Sequence, residues 1–325
     1  MIPTHSIVII GAGQIGSRHL QALKKVRVPL EITVIDPSEQ SLAIAKQRYA
    51  EMPAGKHPHV INYFQKIPCN QNIDLAIIAT TSSMRANVIK KLLKKNRVRY
   101  FLLEKILFDK KSDYQAMEKV FSKSKIKAWV NFPTRIRPIF KKIKKELLDK
   151  NISFRVTGSQ WGLVTNAIHH LDFVSYLVGS TNYTVNTNFL DKKPTSNKRK
   201  GFLELTGTLY ANFKNGGQYE CTSYAFGNAP HLIEVFNKDT RYIILDLNNA
   251  WVSNIKNGWK WKKVYFKTPL ISETTTTVVE NILKNGNCPL TPYEESIKIH
   301  LPLLEALKIF LNKNTKNKFT KYPFT

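Results

Sequence analysis

The stretch LVTNAIHHLDF, residues 163–173, sets two adjacent imidazoles among apolar residues, with a threonine and an asparagine upstream and an aspartate downstream. Imidazole ionises close to neutrality, so such a pair could carry protons, ligate a metal or simply fill a core. On a helix, Thr165, His169, Asp172 and Tyr176 fall within a sector of about 60°, whereas His170 lies about a third of a turn away, beside Leu177. The residues by themselves leave these three readings open; the two imidazoles face different sides of such a helix, and Asn166 or Thr165 is its expected cap. No metal is expected: nothing with ligand spacing accompanies the pair, and Cys69, Cys221 and Cys288 are scattered without CxxC spacing.

A second motif, IVIIGAGQIGSRHL, places Gly11, Gly13 and Gly16 directly after an apolar run and at the opening of an amphipathic stretch. In that setting the first glycine permits a tight turn, the second lets a pyrophosphate approach the backbone, and the third lets helix and strand pack closely. Gln14 and Ile15 open the helix, whose first amides present donors and positive potential to an anion. The run EITVID ends at Asp36, about 20 residues past Gly16, where a carboxylate accepts from ribose hydroxyls and repels a 2′-phosphate. Pro37 and Ser38 supply no cation, so NAD is expected over NADP. Thr80, Thr81 and Ser82 end the run DLAIIATTS, where ligands bind in sheets of this kind; they also suit the cap of the next helix.

Elements that alternate in a fixed rhythm must position these groups. SIVIIG, EITVID, IDLAIIAT, RYFLLEK and KAWVNF are apolar runs separated by amphipathic stretches. This order predicts a Rossmann-type, doubly wound parallel sheet over residues 1–130. After Pro133 come a helix, RPIFKKIKKELLDK, a strand, ISFRVTGSQ, and the histidine helix. Long alternating runs follow, FLELTGTLYANFK, GGQYECTSYAF, HLIEVFN, RYIILDLN and AWVSNI, and then two closing helices. Residues 131–325 thus read as an α+β domain with a large, mostly antiparallel open sheet, and the whole as α/β. The segment 190–201, LDKKPTSNKRKG, reads as the most mobile loop.

The 325 residues carry a formal charge of +27. The lysine runs 89–96, 141–150 and 313–318 have the spacing of solvated helix faces or polar tails, and no basic–aromatic motif accompanies them, so no nucleic-acid partner is expected. No apolar run reaches a membrane span and no signal-like leader is visible, which predicts a cytoplasmic protein.

Taken together, GAGQIGSRHLQAL, IIATTSSMR, FLLEKILF and HHLDFVSYLVG resemble the Gfo/Idh/MocA family of NAD(P)-dependent oxidoreductases over essentially the whole chain. The resemblance implies hydride transfer to or from a sugar or nucleotide-activated sugar, and a homodimer or homotetramer. The family's Glu-Lys-Pro signature is met by Glu104 and Lys105, with Ile106 in place of the proline. It implies that Glu104 contacts the cofactor and that Lys105 is catalytic. A hydroxyl that loses hydride from its carbon must also lose its proton, which an amine at a strand end can accept. The family's Asp-x-x-x-His before Leu-Asp aligns with Thr165 and His169, so threonine stands where an acid is usual. The resemblance then implies that His169 is catalytic and His170 structural, and that Thr165 and Asn166 contact substrate.

Thr165 cannot ionise near neutrality, which leaves three options: lysine and histidine suffice, another acid substitutes, or catalysis has been lost. In VNFPTRIRP, Asn131, Arg135 and Arg137 match loosely the family's nicotinamide and substrate contacts. An arginine there could clamp a carboxylate or phosphate; a domain-junction salt bridge is the alternative. The C-terminal helices resemble those of members from bacterial surface-polysaccharide and sugar-nucleotide pathways, with His300 expected to pack. Two functions stay open: an NAD-dependent sugar oxidoreductase, and a catalytically silent sensor that keeps the dinucleotide and sugar pockets.

Overall fold

The computed structural model describes residues 3–147, 151–246 and 248–325. The chain divides into two compact units, residues 1–133 with 269–293, and residues 134–268 with 294–325. The segment 269–293, which the sequence reading assigned to the second domain, therefore belongs with the first.

In the first unit, strands β1 (His5–Ile10), β2 (Leu30–Ile35), β3 (Val60–Phe64), β4 (Asn72–Ile78), β5 (Arg97–Leu103) and β6 (Lys127–Val130) alternate with helices α1 (Gln14–Leu23), α2 (Glu39–Ala50), α3 (Ser82–Lys95) and α4 (Lys111–Lys123). Those six strands are parallel, in the order β6-β5-β4-β1-β2-β3. Central strands buried on both faces must be apolar throughout, as the unbroken buried runs Ile7–Ile10, Leu75–Ile78 and Phe101–Leu103 are. The sequence reading missed β3. It is an edge strand whose residues are at most half-buried, so VINYF lacks a continuous apolar signal.

Later in the chain, α7 (Ile271–Asn285) and β17 (Thr291–Pro292) return to this unit. α7 packs on α1, where the Thr276 hydroxyl donates to the carbonyl of Ala22 (2.7 Å) and Glu280 pairs with Arg27. β17 adds an antiparallel edge to β6.

The second unit holds α5 (Pro138–Glu146), α6 (Leu163–Val178), α8 (Tyr293–Asn314) and the strands β7 (Ser153–Ser159), β8 (Tyr183–Leu190), β9 (Thr195–Ser196), β10 (Leu203–Glu204), β11 (Gly207–Phe213), β12 (Gln218–Tyr224), β13 (Leu232–Phe236), β14 (Thr240–Ile244), β15 (Asn249–Asn254) and β16 (Lys262–Tyr265). α5 begins at Pro138 and is described to Glu146; the last three residues of the helix expected there, 148–150, lie outside the described residues. Eight strands form one sheet, β16-β15-β14-β13-β7-β12-β11-β8, antiparallel except for the β7–β12 pair. β9 and β10 make a separate short ribbon inside what the sequence presents as a loop and a strand. The run FLELTGTLYANFK is split by Gly207, whose φ of +90° and contact with the 189–191 backbone exclude any side chain.

α6 lies against β12. Its apolar face explains its register, and its least buried positions after the N-terminal turn are His169 and Tyr176. α8 runs through Pro302 and keeps Leu303, Leu304, Leu307 and Leu311 in the core.

Candidate functional site

The glycine loop joins β1 to α1 at the point where the strand order reverses, between the carboxyl ends of β1 and β4. Gly11 has φ +96°, and a Cβ there would lie 2.9 Å from the backbone carbon of Ala79. A Cβ on Gly16 would fall 1.7 Å from the Gly11 carbonyl oxygen, so both positions require glycine. Gly13 differs. A Cβ there would meet nothing within 4 Å, which leaves the backbone open to an approaching group. No side chain caps the N-terminus of α1, and Gln14 lies exposed there, with Ile15 half-buried. A free helix start behind an open glycine is the donor arrangement that a pyrophosphate requires.

Asp36 follows β2 directly. One carboxylate oxygen accepts the Ala12 amide at 2.7 Å, and the other accepts the Ser38 amide at 2.9 Å. The acid thereby fixes the loop as well as presenting negative charge at the strand end. Thr81 is the N-cap residue of α3, but its side chain makes no capping bond; its hydroxyl lies 3.3 Å from that of Ser83. Ser82 is buried. The hydroxyl of Thr80 is buried and has no hydrogen-bond partner among the described residues. These features fit a dinucleotide: an open backbone approach, an uncapped helix and an unsatisfied hydroxyl at the carboxyl end of β4.

Glu104 and Lys105 follow β5. Glu104 is buried, and one of its oxygens is 2.9 Å from His19 Nε2 and accepts from Asn131 Nδ2 at 2.6 Å. The other nitrogen of His19 lies 2.9 Å from the Thr275 hydroxyl on α7. Burial alone would raise the Glu104 pKa, but the hydrogen bonds from His19 and Asn131 and the charge of Lys105 bring it below the ordinary carboxylate value. A buried, ionised Glu104 is therefore the anchor beside Lys105, itself half-buried. Asn131 was expected to contact substrate, and here its amide is engaged by Glu104. The Lys105–Ile106 peptide bond is cis, although Ile106 is not proline.

Sequence reasoning did not single out His19, although it stands three residues beyond Gly16 in the loop-and-helix motif. It also passed over Arg85. This buried arginine on α3 donates to the carbonyl oxygens of Thr80, Ile106 and Leu107, the last at 2.9 Å, and so ties the end of β4 to the backbone just after Lys105.

In the second unit, α6 starts at Leu163, with Gly162 at the N-cap in the left-handed region. Neither Asn166 nor Thr165 caps it; both lie inside its first turns, so the four residues of the sector share one helix. Asn166 donates back to the carbonyls of Trp161 and Gly162 at 2.7 and 3.0 Å. The capping is done from β10, where Glu204 accepts the amides of Val164 (2.6 Å) and Thr165 (3.4 Å), and the Thr165 hydroxyl at 2.8 Å. A carboxylate on the first-turn amides is favourable because they are otherwise unpaired and carry the positive end of the helix dipole. Burial nevertheless raises the Glu204 pKa, against those hydrogen bonds. Glu204 was not among the residues singled out: its contact with Thr165 spans 39 positions, which no local spacing reveals.

His169 is half-buried on the same face as Thr165. His170 is buried, with Nδ1 3.1 Å from the Tyr219 hydroxyl, among Phe154, Trp161 and His231. His300 is buried on α8, with Nδ1 2.9 Å from the Ser296 carbonyl oxygen.

The two arginines of TRIRP differ sharply. Arg135 is buried and forks onto Asp172 with two bonds of 2.7 Å, while its Nη2 also donates to Glu295 at 2.6 Å. Burial alone would lower its pKa, but the two carboxylates hold it above the ordinary value. Its donors serve an ion pair internal to the second unit. Arg137 is half-buried, its Nε is shielded from water without a partner among the described residues, and burial pulls its pKa down with no acid to oppose it. A cation in that condition lacks the counter-charge that burial calls for.

Among the described residues no group of three His, Cys, Asp or Glu side chains could hold a metal ion, and no helix is long and apolar enough to cross a membrane.

The parallel sheet with its glycine loop at the reversal of strand order defines a Rossmann-type dinucleotide-binding domain. Residues 5–132 match the model of an oxidoreductase family with an NAD-binding Rossmann fold. That model is the one of the Gfo/Idh/MocA oxidoreductases, and the match covers this domain. The fold is shared along nearly the whole chain with solved structures of low identity. An oxidoreductase from Agrobacterium radiobacter in complex with NAD+, L-tartaric acid and magnesium aligns over 96% of this chain and 97% of its own, with 16% identity and a TM-score of 0.73. A UDP-N-acetylglucosamine 3-dehydrogenase from Acidithiobacillus ferrooxidans aligns over 94% and 97%, with 12% identity and a TM-score of 0.69. Biliverdin reductase from Synechocystis, solved with biliverdin and NADP+, aligns over 91% and 95%, with 13% identity and a TM-score of 0.68. No curated protein matches the chain.

Proposed function

We propose that the protein is an NAD-dependent oxidoreductase that moves a hydride between the nicotinamide and a CH–OH carbon of a sugar or nucleotide-activated sugar. The observation that carries this reading is the buried anchor beside Lys105, in which Glu104 is held by His19 and Asn131 directly before the lysine at the carboxyl end of β5. A buried carboxylate held through one oxygen by two partners holds the adjoining backbone and keeps negative charge beside an ammonium, which is how a protein orients an amine for proton transfer.

Bound NAD supplies the hydride chemistry; the chain positions the reactants and manages one proton. Lys105 accepts the hydroxyl proton during oxidation or donates it during reduction. His169 hydrogen-bonds the reacting oxygen. Thr165 holds a substrate hydroxyl, and Glu204, which receives the Thr165 hydroxyl at 2.8 Å, supplies the acidic group that threonine lacks. Arg137, whose Nε has no protein partner among the described residues, meets a substrate phosphate or carboxylate. Asp36 favours NAD over NADP by accepting from the ribose and opposing a 2′-phosphate.

The test is Lys105→Met, assayed for NADH binding by calorimetry and for turnover on a panel of UDP-, GDP- and CMP-sugars. Retained NADH binding with turnover lowered by about 100-fold or more supports the assignment. Turnover equal to that of the unmodified protein removes the lysine from the mechanism. If neither NADH nor NADPH binds the unmodified protein, the oxidoreductase reading fails.

A further inference from the structure

The segment 190–201 reads in the sequence as the most mobile loop. In the second unit it forms one wall of a cavity of about 610 Å³, and the C-terminal tail forms the other. That volume lies within the range of about 300–1,000 Å³ usual for small-molecule sites.

Hydrogen bonds hold both walls. The β9–β10 ribbon is closed by the Asn197 amide on the Phe202 carbonyl at 2.9 Å, and the Leu203 amide donates to the Pro323 carbonyl at 2.8 Å, which stitches ribbon to tail. Asn312 fixes the tail reciprocally: its Nδ2 donates to the Phe319 carbonyl at 3.1 Å and its oxygen accepts the Phe319 amide at 2.6 Å.

The lining has a definite chemistry. Lys193 and Lys200 bring two ammonium groups, and no carboxylate lines the space. Phe202 and Phe319 supply aromatic faces, and Asn197 and Asn317 offer amide donors and acceptors. Two exposed ammonium groups with no carboxylate in the lining make the space electropositive, which favours an anion. Aromatic faces beside amides suit a flat ring with hydrogen-bonding edges. Asn197 Nδ2 also reaches the Thr165 hydroxyl at 3.3 Å, so the cavity adjoins the helix that carries His169.

We infer that this cavity binds a nucleoside phosphate, with the ring between Phe202 and Phe319 and the phosphates on Lys193 and Lys200, and that it seats the nucleotide end of a nucleotide-activated substrate. The second clause deepens the oxidoreductase reading and rests on it; the binding does not.

The test is calorimetric titration of the full chain with UDP, GDP and inorganic pyrophosphate, each with NADH at saturation so that the dinucleotide site is filled. One nucleotide is expected to bind with one site per chain and at least about tenfold more tightly than pyrophosphate. Lys193→Glu/Lys200→Glu is expected to weaken it by about tenfold or more while leaving NADH binding unchanged. Phe319→Ala is expected to weaken the nucleotide and spare pyrophosphate; thermal melting of this variant reports whether the tail remains folded, and the lysine variant, changed only at exposed positions, decides the case if it does not. Nucleotides that bind no better than pyrophosphate, or that ignore the lysine substitutions, overturn the inference. NADH binding without nucleotide binding would sink this site alone, whereas loss of NADH binding would sink the oxidoreductase reading.

Discussion

Substituting Asp172 by asparagine separates a structural arginine from a substrate-binding one. The side chain of Asp172 is fully buried and that of Arg135 is 7% exposed, so the carboxylate is the principal counter-charge of a guanidinium almost removed from water. Removing one partner of a buried pair costs about 3–5 kcal/mol, because the remaining charge stays buried and uncompensated. Glu295 remains at 2.6 Å, but its side chain is 34% exposed and partly screened. It offsets part of the loss, which places the expected cost near the lower bound, about 3 kcal/mol. For a unit of this size each kcal/mol moves the melting temperature by about 2–4 °C, so the transition of the second unit should fall by about 6–12 °C. Differential scanning calorimetry with urea unfolding measures this directly. Arg135→Lys, which cannot fork onto Asp172, should also lower stability, and should leave KM for an anionic substrate within about threefold. A loss below about 1 kcal/mol in Asp172→Asn, or an Arg135→Lys variant of undiminished stability with a sharply raised KM, would refute the ion-pair assignment.

Four further outcomes follow from the same geometry. Arg137→Leu should leave the melting temperature unchanged or higher, since a desolvated cation is removed, while KM for a phosphate- or carboxylate-bearing substrate rises by about tenfold or more; a fall in stability with KM unchanged would assign the residue to packing. Asp36→Ala should weaken NADH more than NADPH, and both somewhat, because the Ala12 and Ser38 amides lose their acceptor; an unchanged ratio of the two affinities would contradict the role given to the carboxylate. Glu104 has a folded-state pKa below its ordinary value of 4.5, so its contribution to stability is complete above about pH 4.5 and is lost as pH falls through the folded-state value. Glu104→Gln should therefore flatten the acid limb of the stability profile, and an acid limb of unchanged slope would argue against an ionised carboxylate. Glu204→Gln, read by turnover and by melting, should lower turnover by about tenfold or more if the acid serves Thr165, and loss of stability alone would limit it to capping α6.

Residues close together in sequence yielded their arrangement readily. The parallel sheet was legible because central strands buried on both faces need unbroken apolar runs, and the glycine loop because Gly11 and Gly16 sit where backbone contacts exclude a Cβ. That Thr165, His169, Asp172 and Tyr176 share one helix followed from helical period alone, but the period did not reveal that the Asp172 carboxylate is buried against Arg135. β3 escaped because an edge strand needs no apolar run. The return of α7 and β17 to the first unit escaped because their partners on α1 and β6 lie more than 100 positions away.

What the sequence by itself determined is the type of fold and the residues that could carry chemistry, since periodicity and local spacing report on a chain's immediate neighbours. Only the tertiary structure decided which of those residues have partners. It gave Arg135 two carboxylates and left Arg137 Nε with no partner among the described residues, it set Glu204 against Thr165, and it tied Glu104 to His19 and Asn131. Pairing of that kind depends on charges and hydrogen bonds between distant segments, and these groups meet only when the backbone closes around them.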